Sequence, residues 1–147
     1  METLLYIALF GLILSGIVVS AYPLITGSNN LSDHLTAQGE TSFVLRKIAL
    51  ELASGVTSVD TPTEDGFLVL RIFNSGPAAT RFRVNSGEIQ ISKVAAGTTY
   101  DPLTASRVNF SNFSVNDVEL SEGPNYVEIE FDAGGEHVGP ARLYYYD

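Results

Sequence analysis

Between residues 3 and 25 the chain carries no charged side chain, and Leu, Ile, Val, Ala, Phe and Tyr dominate the run. As a helix rising 1.5 Å per residue, such a segment spans roughly 30 Å, the thickness of a bilayer core. Every acidic residue except Glu2, and all 8 basic residues, lie at or beyond Asp33. The mean hydropathy of +0.16 therefore reflects one concentrated apolar segment followed by a water-facing remainder. The positive-inside rule does not orient this segment, because no Lys or Arg precedes Arg46.

Three readings compete for the run. A cleavable secretory signal would use Val19-Ser20-Ala21 before Tyr22 as its small-residue site, but its first residues are acidic where a basic region is expected, and the apolar stretch is too long. An ordinary single-pass anchor needs only length and hydrophobicity, and assigns no role to Glu2. The third reading, which we favour, follows from the sequence after Ile25. There Leu31, Leu35, Leu45, Ile48 and Leu52 fall on one helical face, with Gln38 and Ser42 as weaker positions, so the helix is expected to continue as an amphipathic one to about Ser54. Pro23 is expected to kink it, and Gly27-Ser28-Asn29-Asn30 to bend or melt it locally. A helix of about 50 residues, roughly 75 Å if continuous, is too long for the remaining chain to cover. Its first half needs lipid or other helices around it.

Glu2-Thr3-Leu4-Leu5, leading into Tyr6-Ile7-Ala8-Leu9-Phe10, resembles the start of a mature type IV pilin or pseudopilin. In that superfamily a short motif ending in Thr-Leu-Ile-Glu-like residues opens a long apolar helix. The run Phe43-Val44-Leu45-Arg46-Lys47-Ile48, and Asp101-Pro102-Leu103-Thr104-Ala105-Ser106-Arg107 ahead of a strand, resemble minor pseudopilins of bacterial secretion and competence systems. The likeness is strong in the first 25 residues and loose beyond them. The resemblance implies an extracytoplasmic β-rich head, filament assembly through the N-terminal helix, and partners that are other pilin or pseudopilin subunits, an inner-membrane assembly platform and, before assembly, the lipid bilayer. It implies no cofactor. The family's leader and glycine cleavage site have no counterpart, since only Met1 precedes Glu2; as written, the sequence offers a prepilin peptidase no site.

By the same resemblance, Glu2 is the subunit-alignment residue, meeting the free amine of a neighbouring subunit. Physical chemistry points the same way, because a lone carboxylate costs on the order of 3 kcal/mol at the bilayer centre, less near an interface, and calls for a partner; a carboxylate sitting in the headgroup layer or favouring the positive end of the helix dipole is the plainer alternative. Gly11, Ser15 and Gly16 present small surfaces that let helix backbones approach closely, although their spacing is not a clean small-xxx-small repeat.

Residues 55–66, with Pro62, read as a loop joining helix to head. Strands are expected at 67–73, apolar on both faces, and at 79–85, where Phe82 and Val84 oppose Arg81 and Arg83. Further strands are expected at 88–94, 108–115, 126–132 and 141–146. Asn74-Ser75-Gly76-Pro77 and Ser86-Gly87 mark turns. The result is an α+β chain: residues 1–25 an apolar transmembrane or filament-core helix, 26–54 an amphipathic continuation, and 55–147 a head whose mostly antiparallel sheet packs on the second half of the helix.

The remaining signals are weaker. With 17 Asp+Glu against 8 Lys+Arg, a net charge of −9 disfavours nucleic acid as the main partner. No cysteine is present, which removes disulfides, thiolate zinc sites and thiol nucleophiles. Asp60, Glu64 and Asp65 are weak calcium candidates, suggested by the pseudopilin likeness and lacking EF-hand spacing. The carboxylates Asp117, Glu119, Glu122, Glu128, Glu130, Asp132 and Glu136 read either as a calcium site or a contact with a basic partner or, as we favour, as a solvated face whose strand members pair with Arg81 and Arg83. His34 and the loop residue His137 form no metal-binding pair, and no catalytic motif supports an enzyme. Tyr145 is expected to point inward between Tyr144 and Tyr146. The expected role is thus a structural subunit of a pilus-like or secretion or competence filament. The rival is a membrane-anchored, β-rich binding domain that does not polymerise.

Overall fold

The structure, a computed structural model, describes residues 2–74, 79–94 and 99–146. A single helix, α1 (Glu2–Leu52), opens the chain and is followed by nine strands among the described residues: β1 (Val56–Asp60), β2 (Thr63–Glu64), β3 (Phe67–Asn74), β4 (Ala79–Asn85), β5 (Glu88–Ser92), β6 (Asp101–Pro102), β7 (Phe110–Val118), β8 (Asn125–Ala133) and β9 (Glu136–Tyr145). The first sheet runs β1-β3-β4-β5-β6, with β2 also paired to β3, and the second runs β7-β8-β9. All pairings are antiparallel. The expected α+β architecture is what the chain adopts. Two compact units are present, Met1–Leu35 and Thr36–Asp147.

In the first unit α1 runs unbroken through Pro23, and residues 27–30 stay helical in place of the expected local melting. Pro23 lacks an amide hydrogen, so the Val19 carbonyl loses its usual donor. Hydroxyls in this stretch bond back to the helix: Ser15 Oγ donates to the Leu12 carbonyl at 2.9 Å, Ser20 Oγ to Gly16 at 2.8 Å and Thr26 Oγ1 to Tyr22 at 3.0 Å. Each of these three hydroxyls is thereby satisfied without water, the condition for placing it in an apolar medium.

The second unit begins inside α1. Ala37, Val44, Ile48 and Leu52, spaced by seven and four residues, are buried and join one core with Leu70, Ile72, Phe82 and Ile89 of the first sheet and Val127, Ile129 and Phe131 of the second. This corrects the expected face. Leu31 and Leu35 are 60% and 59% exposed and belong to the first unit, and Leu45 flanks the buried stripe rather than centring it. The helix ends at Leu52, two residues earlier than expected. There the Ser54 amide and hydroxyl both donate to the Glu51 carbonyl, at 3.3 and 2.6 Å, and Gly55 turns the chain at φ +85°.

Strand alternation translates directly into packing on β8, where Val127, Ile129, Phe131 and Ala133 are buried and the residues between them are half-buried. Phe110 and Phe131 meet with ring centroids 5.7 Å apart at a tilt of 56°. Full burial of side chains of this size stabilises the fold by about 1.5–3 kcal/mol each. The β4–β5 hairpin turns at Ser86 (φ +53°) and Gly87 (φ +79°), the two-residue geometry expected for that pair. Tyr145 is buried while Tyr144 and Tyr146 are exposed, as the alternation predicts. Beyond Asn74, the expected turn ending at Pro77 lies outside the described residues.

Three strands carry irregularities that the sequence reading missed. Residues 56–60, assigned to a loop, form β1; its bulge at Thr57 lets Thr57 Oγ1 donate to the Phe73 carbonyl at 3.0 Å. β7 bulges between Ser111 and Ser114, where Asn112 takes φ +52° and its side-chain amide bonds Asp132. β9 bulges opposite the Ile129–Phe131 step, at Gly139 and Pro140. Proline has no amide to give a ladder, so a bulge is where a strand tolerates it.

Candidate functional site

The candidate functional surface of the first unit is α1 itself. Its apolar run is long enough to cross a membrane, and none of its most apolar window is buried. Glu2 occupies the first turn and is exposed; there the unsatisfied amides of the helix end favour a negative charge. At Gly11 and Gly16 an added Cβ would meet nothing within 4 Å, so the surface there is flat and open. Ser15 lies between them with its hydroxyl turned back onto the helix. Tyr6, Ile7, Leu9, Phe10 and Ile13 line a shallow apolar groove along the helix. Small residues beside a bulky apolar row are the surface on which another helix packs closely.

In the second unit a polar node fastens the helix to the first sheet. Glu51 is buried, and its carboxylate accepts from Lys93 Nζ at 2.6 Å and Thr80 Oγ1 at 3.2 Å, with Lys47 Nζ one helical turn away at 3.3 Å. Burial pushes this carboxyl up, but hydrogen bonds from Lys93 and Lys47, the Lys93 charge and the Thr80 hydroxyl outweigh it and hold the group below the usual carboxylate range. Sequence reading missed this residue. A charge four residues from Lys47 reads as an exposed helical pair, and nothing local reveals that Thr80 and Lys93 arrive beside it.

The outer face of the first sheet gathers Arg71, Arg81 and Arg83. Arg71 lies opposite Arg81 across β3 and β4, and Arg83 lies opposite Gln90 across β4 and β5. Arg71 bonds Glu64 and approaches Asp60 at 3.5 Å. Arg81 Nε is 4.0 Å from Glu64, and its Nη1 donates to the Val94 carbonyl at 2.8 Å. Arg83 Nε donates to Gln90 Oε1 at 3.0 Å, and its guanidinium lies over the Tyr100 ring, 3.7 Å from the centroid, with Phe67 at 5.4 Å. Two of the weak calcium candidates lie in this cluster. Asp60 and Glu64 face guanidiniums, Tyr100 Oη also donates to Glu64 at 3.2 Å, and Asp65 sits in the β2–β3 turn at φ +51°. Among the described residues no group of three or more His, Asp or Glu is placed to hold a metal ion.

The acidic face of the second sheet is likewise paired differently from expectation. Glu128 accepts from Arg142 Nε at 2.8 Å across β8 and β9, and Arg81 and Arg83 lie on the other sheet. The Arg142 guanidinium is held above its ordinary value, chiefly by that hydrogen bond. Asp132 bonds His137 Nδ1 at 3.0 Å and the Asn112 amide, and the His137 hydrogen bond, ahead of the Asn112 one, lowers its carboxyl below the usual range. His137, expected in a loop, is on β9 directly opposite Asp132. An open groove in the second unit is lined, among the described residues, by Thr36, Gly39, Glu40, Phe43 and Leu103. No family model, no curated protein and no solved structure matches this chain.

Proposed function

We propose that this chain is a structural subunit of a type IV pilus-like filament or of a secretion or competence pseudopilus, most similar in role to a minor pseudopilin. One observation carries the reading. The helix that supplies the core of the head is continuous in sequence with an apolar helical run whose side chains lie open. An apolar surface of that length needs lipid before assembly and neighbouring helices after it. Glu2, at the helix start, is the alignment residue between subunits, and Gly11, Ser15 and Gly16 allow close helix packing. The partners are other subunits of the same superfamily and an inner-membrane assembly platform, with the head extracytoplasmic and carried to the cell surface in the filament. On this reading the protein performs no chemistry and needs no cofactor.

The test is the intact N-terminal mass of the native protein, recovered both from membranes and from material sheared off the cell surface. A chain that begins a few residues upstream of Glu2 with a methylated amine, found in the sheared fraction, supports the filament subunit. A chain that starts at an unmodified Met1 and stays in the membrane replaces it with the solitary anchored binding domain.

A further inference from the structure

We propose that the arginine face of the first sheet, centred on Arg83, docks the carboxylate row of β8 in a second copy of this chain, centred on Glu130. The inference rests on the subunit reading above and specifies how heads meet.

Among the described residues, each face is internally neutralised except at one. On the first sheet, Arg71 and Arg81 share Glu64, and Arg71 also has Asp60. Arg83 has no carboxylate partner among the described residues. One of its five N–H groups is used on Gln90, and its plane is fixed by Tyr100 and Phe67, so the remaining donors are held ready at little entropic cost. The nearest acid on β5, Glu88, sits opposite Asn85 at the hairpin end and forms no ion pair. On the second sheet, Glu128 has Arg142, and Asp132 has His137 and Asn112. Glu130, between them, has no partner among the described residues and is half-buried. A half-buried charge without a partner is costly, and each of these two groups is what the other lacks.

The repeat lengths agree as well. Arg81 and Arg83 are alternate residues of β4, and Glu128, Glu130 and Asp132 are alternate residues of β8, so both rows repeat at about 6.5–7 Å. Symmetry follows from the charges. Two arginine faces, or two acidic faces, set against each other would repel, and the chain's net charge of −9 adds to the second repulsion. The favoured contact joins unlike faces. Such a head-to-tail interface leaves one arginine face and one acidic face free at its ends, and therefore propagates.

The full chain in detergent micelles tests this by sedimentation velocity at low and high salt. Arg83→Glu and Glu130→Arg are each expected to weaken self-association by about tenfold or more at low salt, and the two combined in one chain to restore it. The chain has no native cysteine, so Gln90→Cys, opposite Arg83, and Ser114→Cys, opposite Glu130, can be cross-linked with a short bismaleimide. A mixture of the two is expected to link faster than either variant alone. The proposal is overturned if both single charge variants associate like the wild type, if the combination fails to restore association, if only the Arg83 side matters, or if Gln90→Cys links to itself as readily. In that event the filament reading stands, because it is judged by N-terminal processing. Failure of processing leaves this head contact still measurable in micelles.

Discussion

Replacing Glu51 by Ala removes the carboxylate that ties the helix to β4 and to the segment after β5. Two losses add. Of the three partners of Glu51, the Lys93 ammonium makes the closest contact, at 2.6 Å, and a hydrogen bond to a charged group is worth about 1.5–3 kcal/mol. Lys93 is 55% exposed and regains water when its partner goes, so the lower end of that range applies. Thr80 is buried at 5% exposure and loses the acceptor for its hydroxyl, at a further cost of about 1 kcal/mol. The expected destabilisation is about 2–3 kcal/mol at neutral pH, read from urea unfolding of the full chain in micelles by near-ultraviolet tyrosine dichroism. Glu51→Gln keeps an acceptor and is expected to cost about half as much.

The pH dependence has a definite sign. Because the folded carboxyl titrates below its unfolded value of 4.5, its contribution is complete above that value and is lost as pH falls through the folded pKa. The gap between wild type and Glu51→Gln should therefore narrow on acidification below that value, and the cost of Lys93→Met should shrink in parallel. A Glu51→Ala loss under about 0.5 kcal/mol, or a Lys93→Met cost unchanged in acid, would refute the argument that the buried Glu51 carboxylate ties the helix to the sheet.

Two further expectations concern the second sheet. At Gly139, φ is +120° and an added Cβ would sit 2.7 Å from the Ile129 carbonyl oxygen; Gly139→Ala is expected to cost about 2 kcal/mol or more and to raise amide exchange along β8 and β9, and ordinary protection there would contradict it. The Asp132 carboxyl is held down first by His137 and then by Asn112, so carboxyl NMR titration of His137→Ala should show Asp132 moving up toward the ordinary aspartate range. An unmoved titration curve would mean that the His137 contact does not persist in solution.

Local pattern carried much of this protein's organisation. The uncharged run at 3–25 announces an apolar surface by composition alone, and none of its most apolar window is buried. Alternation along β8 and the Ser86-Gly87 turn follow from the two-residue strand period and from the positive φ values such a turn requires. The sequence also places Tyr145 correctly inside. Each of these is a property of residues adjacent in the chain.

What required the tertiary structure is who meets whom. The buried side of α1 is set by where the sheets arrive, so Ala37 and Val44 entered the core while Leu31 and Leu35, equally apolar, stayed open. Residues 56–60 lack a strong strand signal and become β1 because β3 offers an edge to pair with. The same holds for charge: the carboxylates of β8 are opposite in sign to Arg81 and Arg83, but strand order puts Arg142 beside Glu128 and Glu64 beside Arg71 and Arg81. Hydrophobic period and turn chemistry are written along the chain, whereas ion pairs and the choice of a helix face depend on contacts between residues far apart in it. Those contacts exist only after the sheets have chosen their neighbours.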